Sequence, residues 1–209
     1  MSIESELKSE YKQDLKTKII AVTKTFPISE IKPLIDHGHL HYGENKVQEA
    51  LEKWNEVKKE VKNIKLHMIG KLQTNKVKFV VPLFDYIHSL DNLKLAQKIS
   101  LEQKKNNKKL KIFIQVNIGN EDQKSGIHQN EAMNFYKKCI NDLGLDIVGL
   151  MCIPPLKADK NEYFRLMNGL NKSIGLDELS MGMSSDYLEA IENNATFVRI
   201  GSSIFGQRS

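Results

Sequence analysis

The sequence predicts an α/β protein, specifically a (β/α)8 TIM barrel. Short apolar, β-branched runs recur eight times along 209 residues, alternating with stretches of helical spacing. The runs are nearly continuous in apolar residues, as parallel strands covered on both faces must be. No GxGxxG follows the first run, which argues against the competing doubly wound open sheet.

Each element has its own justification. The first dozen residues read as a short polar helix laid across one end of the domain. In Ile19-Ile20-Ala21-Val22-Thr23-Lys24-Thr25-Phe26 four apolar, mostly β-branched residues form a buried strand, and Pro27 marks where it gives way. Ser29-Glu30-Ile31 opens a helix that closes at His37-Gly38, with glycine as its stop. A second strand, Leu40 to Tyr42, ends in Gly43-Glu44-Asn45. Val47, Ala50, Leu51, Trp54 and Val57 then share one helical face. Leu66 to Gly70 is a third strand, leading through Leu72-Gln73-Thr74-Asn75-Lys76 into another helix.

Phe84 to Leu90 is the fourth strand, and Asp91-Asn92 caps the following helix. Leu110 to Ile118 is the clearest strand of all. Glu131 to Leu143 is amphipathic, with Ala132, Tyr136, Cys139 and Leu143 on one side. Ile147 to Ile153 forms the sixth strand, stopped by Pro154-Pro155. Phe164, Met167 and Ile174 continue a helical face. Leu179-Ser180-Met181 is a short seventh strand, Ser185 to Asn193 a helix, and Phe197 to Ile200 the eighth strand.

Composition excludes several function classes. At this length a single domain, residues 1–209, buries a proper core without staples. Cys139 and Cys152 stand far apart and in no CxxC pattern, so neither a disulfide framework nor a zinc ribbon is implied. The start is polar, and no apolar run approaches the roughly 20 residues that span a bilayer. A cytoplasmic protein, not bound to membrane, is expected. The formal charge of +5 raises the question of nucleic acid. The densest basic run, Lys104 to Lys109, carries no aromatic for stacking and reads as a solvated helix end. An anionic small molecule fits the charge without nucleic acid.

The chemistry gathers where barrel sites lie, at the C-terminal ends of the strands. Lys24 stands where the first strand runs out. An ordinary lysine amine, with a pKa of roughly 10.4, is a poor nucleophile at neutral pH. Burial or a neighbouring cation makes imine formation with an aldehyde feasible. The loops after strands seven and eight, Gly182-Met183-Ser184-Ser185 and Gly201-Ser202-Ser203, offer glycine for close backbone approach and hydroxyls to donate. Ser184 or Ser185 is also expected at a helix N-terminus, which favours an anion. Arg199, two residues before Gly201, needs an acceptor if buried: a carboxylate in an ion pair, or a ligand heteroatom. A lysine, a phosphate cradle and an arginine for a ring nitrogen together describe a pyridoxal 5′-phosphate site.

At these residues the sequence resembles the pyridoxal phosphate homeostasis protein family, single-domain relatives of the alanine racemase N-terminal domain (fold type III). The resemblance is carried by Ala21-Val22-Thr23-Lys24-Thr25, Tyr42-Gly43-Glu44-Asn45 and His67-x-Ile69-Gly70-x-Leu72-Gln73-x-Asn75-Lys76. It continues through Lys124-Ser125-Gly126, Gly149-Leu150-Met151, Leu179-Ser180-Met181-Gly182-Met183-Ser184 and Val198-Arg199-Ile200-Gly201-x-x-Ile204-Phe205-Gly206. It implies Lys24 as the imine lysine, Ser184, Gly201 and Ser202 as phosphate ligands, and Arg199 as partner of the pyridine nitrogen. Asn45 is implied to line the cofactor. Both chain ends look short for the family.

The expected role is a monomeric holder and donor of the cofactor, with apoenzymes that use it as partners, rather than a catalyst. Arginine at the pyridine nitrogen disfavours its protonation and weakens the ring as an electron sink. A racemase needs an acid or base on each face of the substrate carbon, and the sequence as given has no second domain to supply one. Lys124 is a secondary candidate for transient attachment of the cofactor, against a plain surface lysine. The alternatives are an amino-acid racemase or lyase with the same cofactor, and an aldolase-type barrel whose Lys24 reacts with a sugar phosphate. His37, His39 and His41 with Asp36 suggest a metal, but they straddle a helix end and a strand start. His67 reads as a hydrogen-bonded barrel residue, and Lys71 and Lys76 as solvated.

Overall fold

Eight parallel strands close into a barrel, β1 pairing with both β2 and β8. A computed structural model describes residues 17–156 and 159–206. The helix expected over the first dozen residues lies outside the described residues. The strands are β1 (Lys18–Val22), β2 (His41–Glu44), β3 (Lys65–Met68), β4 (Tyr86–Leu90), β5 (Lys111–Val116), β6 (Asp146–Cys152), β7 (Glu178–Met183) and β8 (Phe197–Ile200). Between them run α1 (Ile28–Asp36), α2 (Val47–Glu60), α3 (Val77–Leu83), α4 (Leu93–Asn106), α5 (Ala132–Asn141), α6 (Lys160–Ile174) and α7 (Tyr187–Glu192). A single turn, α8 (Ser202–Phe205), follows β8.

Local chemistry sets the joints. Asn92 caps α4 by accepting the Leu95 N–H at 2.9 Å. Gly38, at φ +90°, ends α1 in a left-handed conformation that costs glycine little.

The strands bury both faces, but with different partners. Outward residues such as Leu66, Met68, Ile87, Val198 and Ile200 join the helices in the main core, with Trp54, Phe84 and Phe164. Inward residues form a smaller cluster of Ile20, Tyr86, Phe113, Met151 and Phe197. The two-residue period of a strand assigns the faces: Tyr86 and His88 point inward from β4, as Phe197 and Arg199 do from β8. His67, His88 and Ser180 are 0% exposed and Arg199 6%. The lumen is therefore aromatic at one level and polar nearer the C-terminal mouth.

Several boundaries differ from the sequence reading, for local reasons. The first strand ends at Val22 and Thr23–Phe26 turns away, because Thr25 takes φ +70°. Phe84 packs outward at the end of α3, so β4 starts at Tyr86. α7 begins only at Tyr187, after Asp186, and Ser202–Ser203 opens a helical turn rather than a loop.

Candidate functional site

A cleft of about 630 Å³ opens at the C-terminal ends of β1, β7 and β8. Its walls include Lys24, Asn45, Ser184, Arg199, Gly201 and Ser202, the six residues singled out from the sequence. Val22, Phe26, Ile69, Ile153 and Met183 supply the apolar remainder, with Ser185 and Gly206. Among the described lining residues there are two cations, three serine hydroxyls and no carboxylate. Such a wall suits an anion joined to an apolar body.

Each polar residue arrives by a definite route. Arg199 comes from the inward face of β8. Its Nη1 donates to Ser180 Oγ at 2.8 Å and its Nη2 to the Cys152 carbonyl at 2.9 Å. Burial pulls its pKa below the ordinary arginine value, while Asp186 acts in the opposite direction. No carboxylate lies within ion-pair distance among the described residues, so the structural ion pair envisaged for Arg199 is not what holds it. Two neutral acceptors hold it, with no carboxylate in direct contact among the described residues.

The two loops at the far wall are tied together, Gly201 N–H donating to Ser184 Oγ at 3.3 Å. Gly182 makes this possible: it sits at φ +89°, and a Cβ there would stand 2.6 Å from Ala190 Cβ. Gly201 is different. Its φ is −122°, and a Cβ would meet Val22 at 3.4 Å, ordinary contact. Folding does not demand glycine at 201, and its presence leaves that stretch of wall bare toward a ligand. The helix N-terminus expected at Ser184–Ser185 is not available to an anion. Asp186 stands at the N-cap of α7, accepts Met183 N–H at 2.6 Å and pairs with Lys160 at 2.7 Å.

Lys24 rides on a turn that is clamped from below. Lys53 Nζ donates to the carbonyls of Thr23 at 2.7 Å and Phe26 at 3.3 Å. It also pairs with Glu44 at 2.7 Å and Glu49 at 2.8 Å. Glu44 is fully buried and accepts in addition from Thr23 Oγ1 and Trp54 Nε1. Thr25 N–H donates to Glu49 Oε1, which offsets the roughly 1–3 kcal/mol that a left-handed β-branched residue costs. Burial alone would raise the Glu49 pKa, but the bonds from Lys53 and Thr25 outweigh it and hold it below the ordinary value. Phe26 then meets Phe205 of α8, ring centroids 4.9 Å apart, at the lip of the cleft.

The comparisons with known proteins bear on this geometry. The family description "Alanine racemase, N-terminal domain" matches residues 5–209. The "Pyridoxal phosphate homeostasis protein" of Haemophilus influenzae is 37% identical over 217 residues, covering 99% of this chain and 92% of that protein. The chain belongs to this family. PipY of Synechococcus elongatus, in its structure with PLP bound, is 29% identical at a TM-score of 0.87, covering 97% of this chain and 98% of that one. Alanine racemase of Clostridium difficile shares the fold at 15% identity and a TM-score of 0.76, this chain spanning 56% of it.

In this family member the secondary candidates fare unevenly. Lys124 is not a plain surface lysine. It pairs with Glu121, donates to the Pro154 carbonyl at 3.2 Å, and lines a second compartment of about 380 Å³. That compartment adjoins the cleft through Asn45, Ile69 and Ile153, and Lys71 reaches it too. His37 ends α1, and no group of three metal-ligating side chains occurs among the described residues. His67 is buried and hydrogen-bonded. Burial pushes both cysteine thiols up to about 12. No described helix is long and apolar enough to cross a membrane. Sequence reasoning missed Lys53 and Glu49, and gave Glu44 no role. The available signal was a carboxylate on an otherwise apolar strand, which had to find a cation.

Proposed function

We propose that this protein binds pyridoxal 5′-phosphate in the β1–β7–β8 cleft, with Lys24 as its covalent anchor, and holds and releases it rather than catalysing turnover. The carrying observation is the wall itself: Lys24 and Arg199 with Ser184, Ser185, Ser202 and a bare Gly201, and no carboxylate among its described residues. Phosphate fits against the Ser184, Gly201 and Ser202 loops. The Arg199 guanidinium, held only by neutral acceptors among the described residues, suits the ring nitrogen, and Asn45 and the apolar residues enclose the ring. The names of the relatives and the PLP-bound PipY structure support the same ligand.

When bound, the cofactor supplies an aldehyde that condenses reversibly with an amine. The chain's own contribution is to hold the Lys24 amine at that aldehyde and the Arg199 cation at the nitrogen, which keeps the nitrogen unprotonated. The described wall has no tyrosine, histidine, cysteine or carboxylate to serve as a second acid or base. Racemisation needs one on each face of the substrate carbon. Two further amines, Lys71 and Lys124, lie in the adjoining compartment. The protein acts as a single cytoplasmic domain and monomer that yields the cofactor to apoenzymes.

The test is a spectrophotometric titration with pyridoxal phosphate. The native protein turns yellow with saturable absorbance, and Lys24→Ala does not. Native protein that stays colourless throughout defeats the proposal. Amino-acid racemisation at enzyme-like rates by the loaded protein defeats the non-catalytic part.

A further inference from the structure

The barrel lumen holds a line of polar side chains that the cleft alone does not explain. His41 Nδ1 lies 2.9 Å from His67 Nε2, and His67 Nδ1 lies 2.9 Å from His88 Nε2. His88 Nδ1 lies 2.9 Å from Ser180 Oγ, which accepts from Arg199 at 2.8 Å. The file thus runs from the start of β2, near the N-terminal end of the barrel, to the guanidinium at the cleft. Aromatic rings hold it in place. His67 stacks on Tyr86 at 4.2 Å and His88 on Phe113 at 4.3 Å. Phe197 packs T-shaped with His41 and His88 and tilted against His67.

The donors can be assigned by elimination. Arginine only donates, so Ser180 Oγ accepts from Arg199. The Ser180 hydroxyl hydrogen has one remaining partner among the described residues, His88 Nδ1. Were that nitrogen protonated, a fully buried hydroxyl hydrogen would lack an acceptor, a cost native interiors avoid. Ser180 therefore donates to Nδ1, and the His88 proton sits on Nε2. That N–H points at His67 Nδ1, which must accept, so the His67 proton also sits on Nε2 and donates to His41 Nδ1. Every bond then points the same way, outward from Arg199.

A second proton on His67 or His88 would set two donors against each other. It would also add a cation facing Arg199, with Lys18 and Lys58 near His67. Burial, then His88, His41, Lys18 and Lys58, hold the His67 imidazole well below the ordinary histidine pKa, and burial, then Arg199 and His41, do the same for His88.

We propose that Ser180, His88 and His67 are positioning residues for Arg199, a one-way file of neutral Nε2–H imidazoles that fixes the Ser180 hydroxyl and, through it, the direction of the guanidinium. The tautomer order stands independently of the proposed ligand. The consequence for binding rests on that reading.

The experiment has two arms. In the first, nitrogen-15 NMR of the unliganded full-length protein, labelled at histidine, reads the tautomers between pH 6 and 8. Neutral Nε2–H forms at His67 and His88 support the file, and an Nδ1–H form or an imidazolium at either overturns it. In the second, Ser180→Ala and Ser180→Thr are titrated with pyridoxal phosphate, thermal melts confirming folding. Loss of Arg199 anchorage weakens Ser180→Ala by about tenfold, and the hydroxyl of Ser180→Thr restores most of it. Equal affinity of Ser180→Ala and native protein overturns the positioning role. Native protein that binds no pyridoxal phosphate defeats the proposed function and leaves the NMR arm to decide the file.

Discussion

Replacing Lys53 by methionine removes a cation that clamps the Lys24 turn while keeping most of the side chain's apolar stem. Glu44, fully buried, would lose its only charged partner among the described residues. It would keep the Thr23 hydroxyl and Trp54 N–H, both on Oε1, while Oε2 has no hydrogen-bond partner even in the native protein. Breaking a buried pair from one side costs about 3–5 kcal/mol. The two surviving neutral donors place Lys53→Met near about 3 kcal/mol at the low end of that range. Against a domain stability of roughly 5–15 kcal/mol, that is readily measured by urea unfolding at pH 7. Adding Glu44→Gln to Lys53→Met should recover part of the loss, since no buried charge is then stranded. The double variant should also take up pyridoxal phosphate poorly, because the carbonyls of Thr23 and Phe26 have lost their clamp. A cost below about 1 kcal/mol for Lys53→Met would refute the reasoning.

Three further outcomes follow from the same geometry. His67 and His88 stay neutral in the fold but titrate near the ordinary histidine pKa of about 6.5 once unfolded. The unfolded chain therefore binds more protons below that pH. Their contribution is intact above it and drains away on acidification, by about 2.7 kcal/mol per pH unit for the pair. His41, lowered to about 4 but partly exposed, adds less. Urea unfolding at pH 7 and 5.5 checks this, and equal stability at both would contradict it. Gly182→Ala should cost about 2–3 kcal/mol, from its positive φ and the crowding against Ala190, read as a lowered urea midpoint. Both cysteines, buried with thiols raised to about 12, should resist a thiol reagent in native protein and react at once in denaturant. Fast native labelling would show that the core opens.

The barrel was legible because parallel strands buried on both sides leave a strong apolar trace, and because Gly38 and Asn92 punctuate the helices as their chemistry requires. Lys24, Asn45, Ser184, Arg199, Gly201 and Ser202 were legible for a related reason. They stand at strand ends or in the loops just beyond, and a closed barrel gathers those places around one mouth. The clamp was harder to see, since Glu44 and Lys53 meet only when α2 folds back over β2. The histidine file was hidden by its own strands. Along β4, the apolar neighbours of His88 mask the alternation that points it inward with Tyr86, and only barrel closure brings it to Ser180, 92 positions away. The Ser184–Ser185 helix start misled because Asp186, read as part of that helix, stands at its N-cap position with its carboxylate taken by Met183 N–H and Lys160.

The most direct test of the central claim is borohydride reduction of the protein loaded with pyridoxal phosphate, followed by peptide mapping. The account predicts a single dominant pyridoxyl-modified peptide, carrying the group on Lys24. Stable modification centred on Lys124 or another lysine, with Lys24 recovered unmodified, would contradict it.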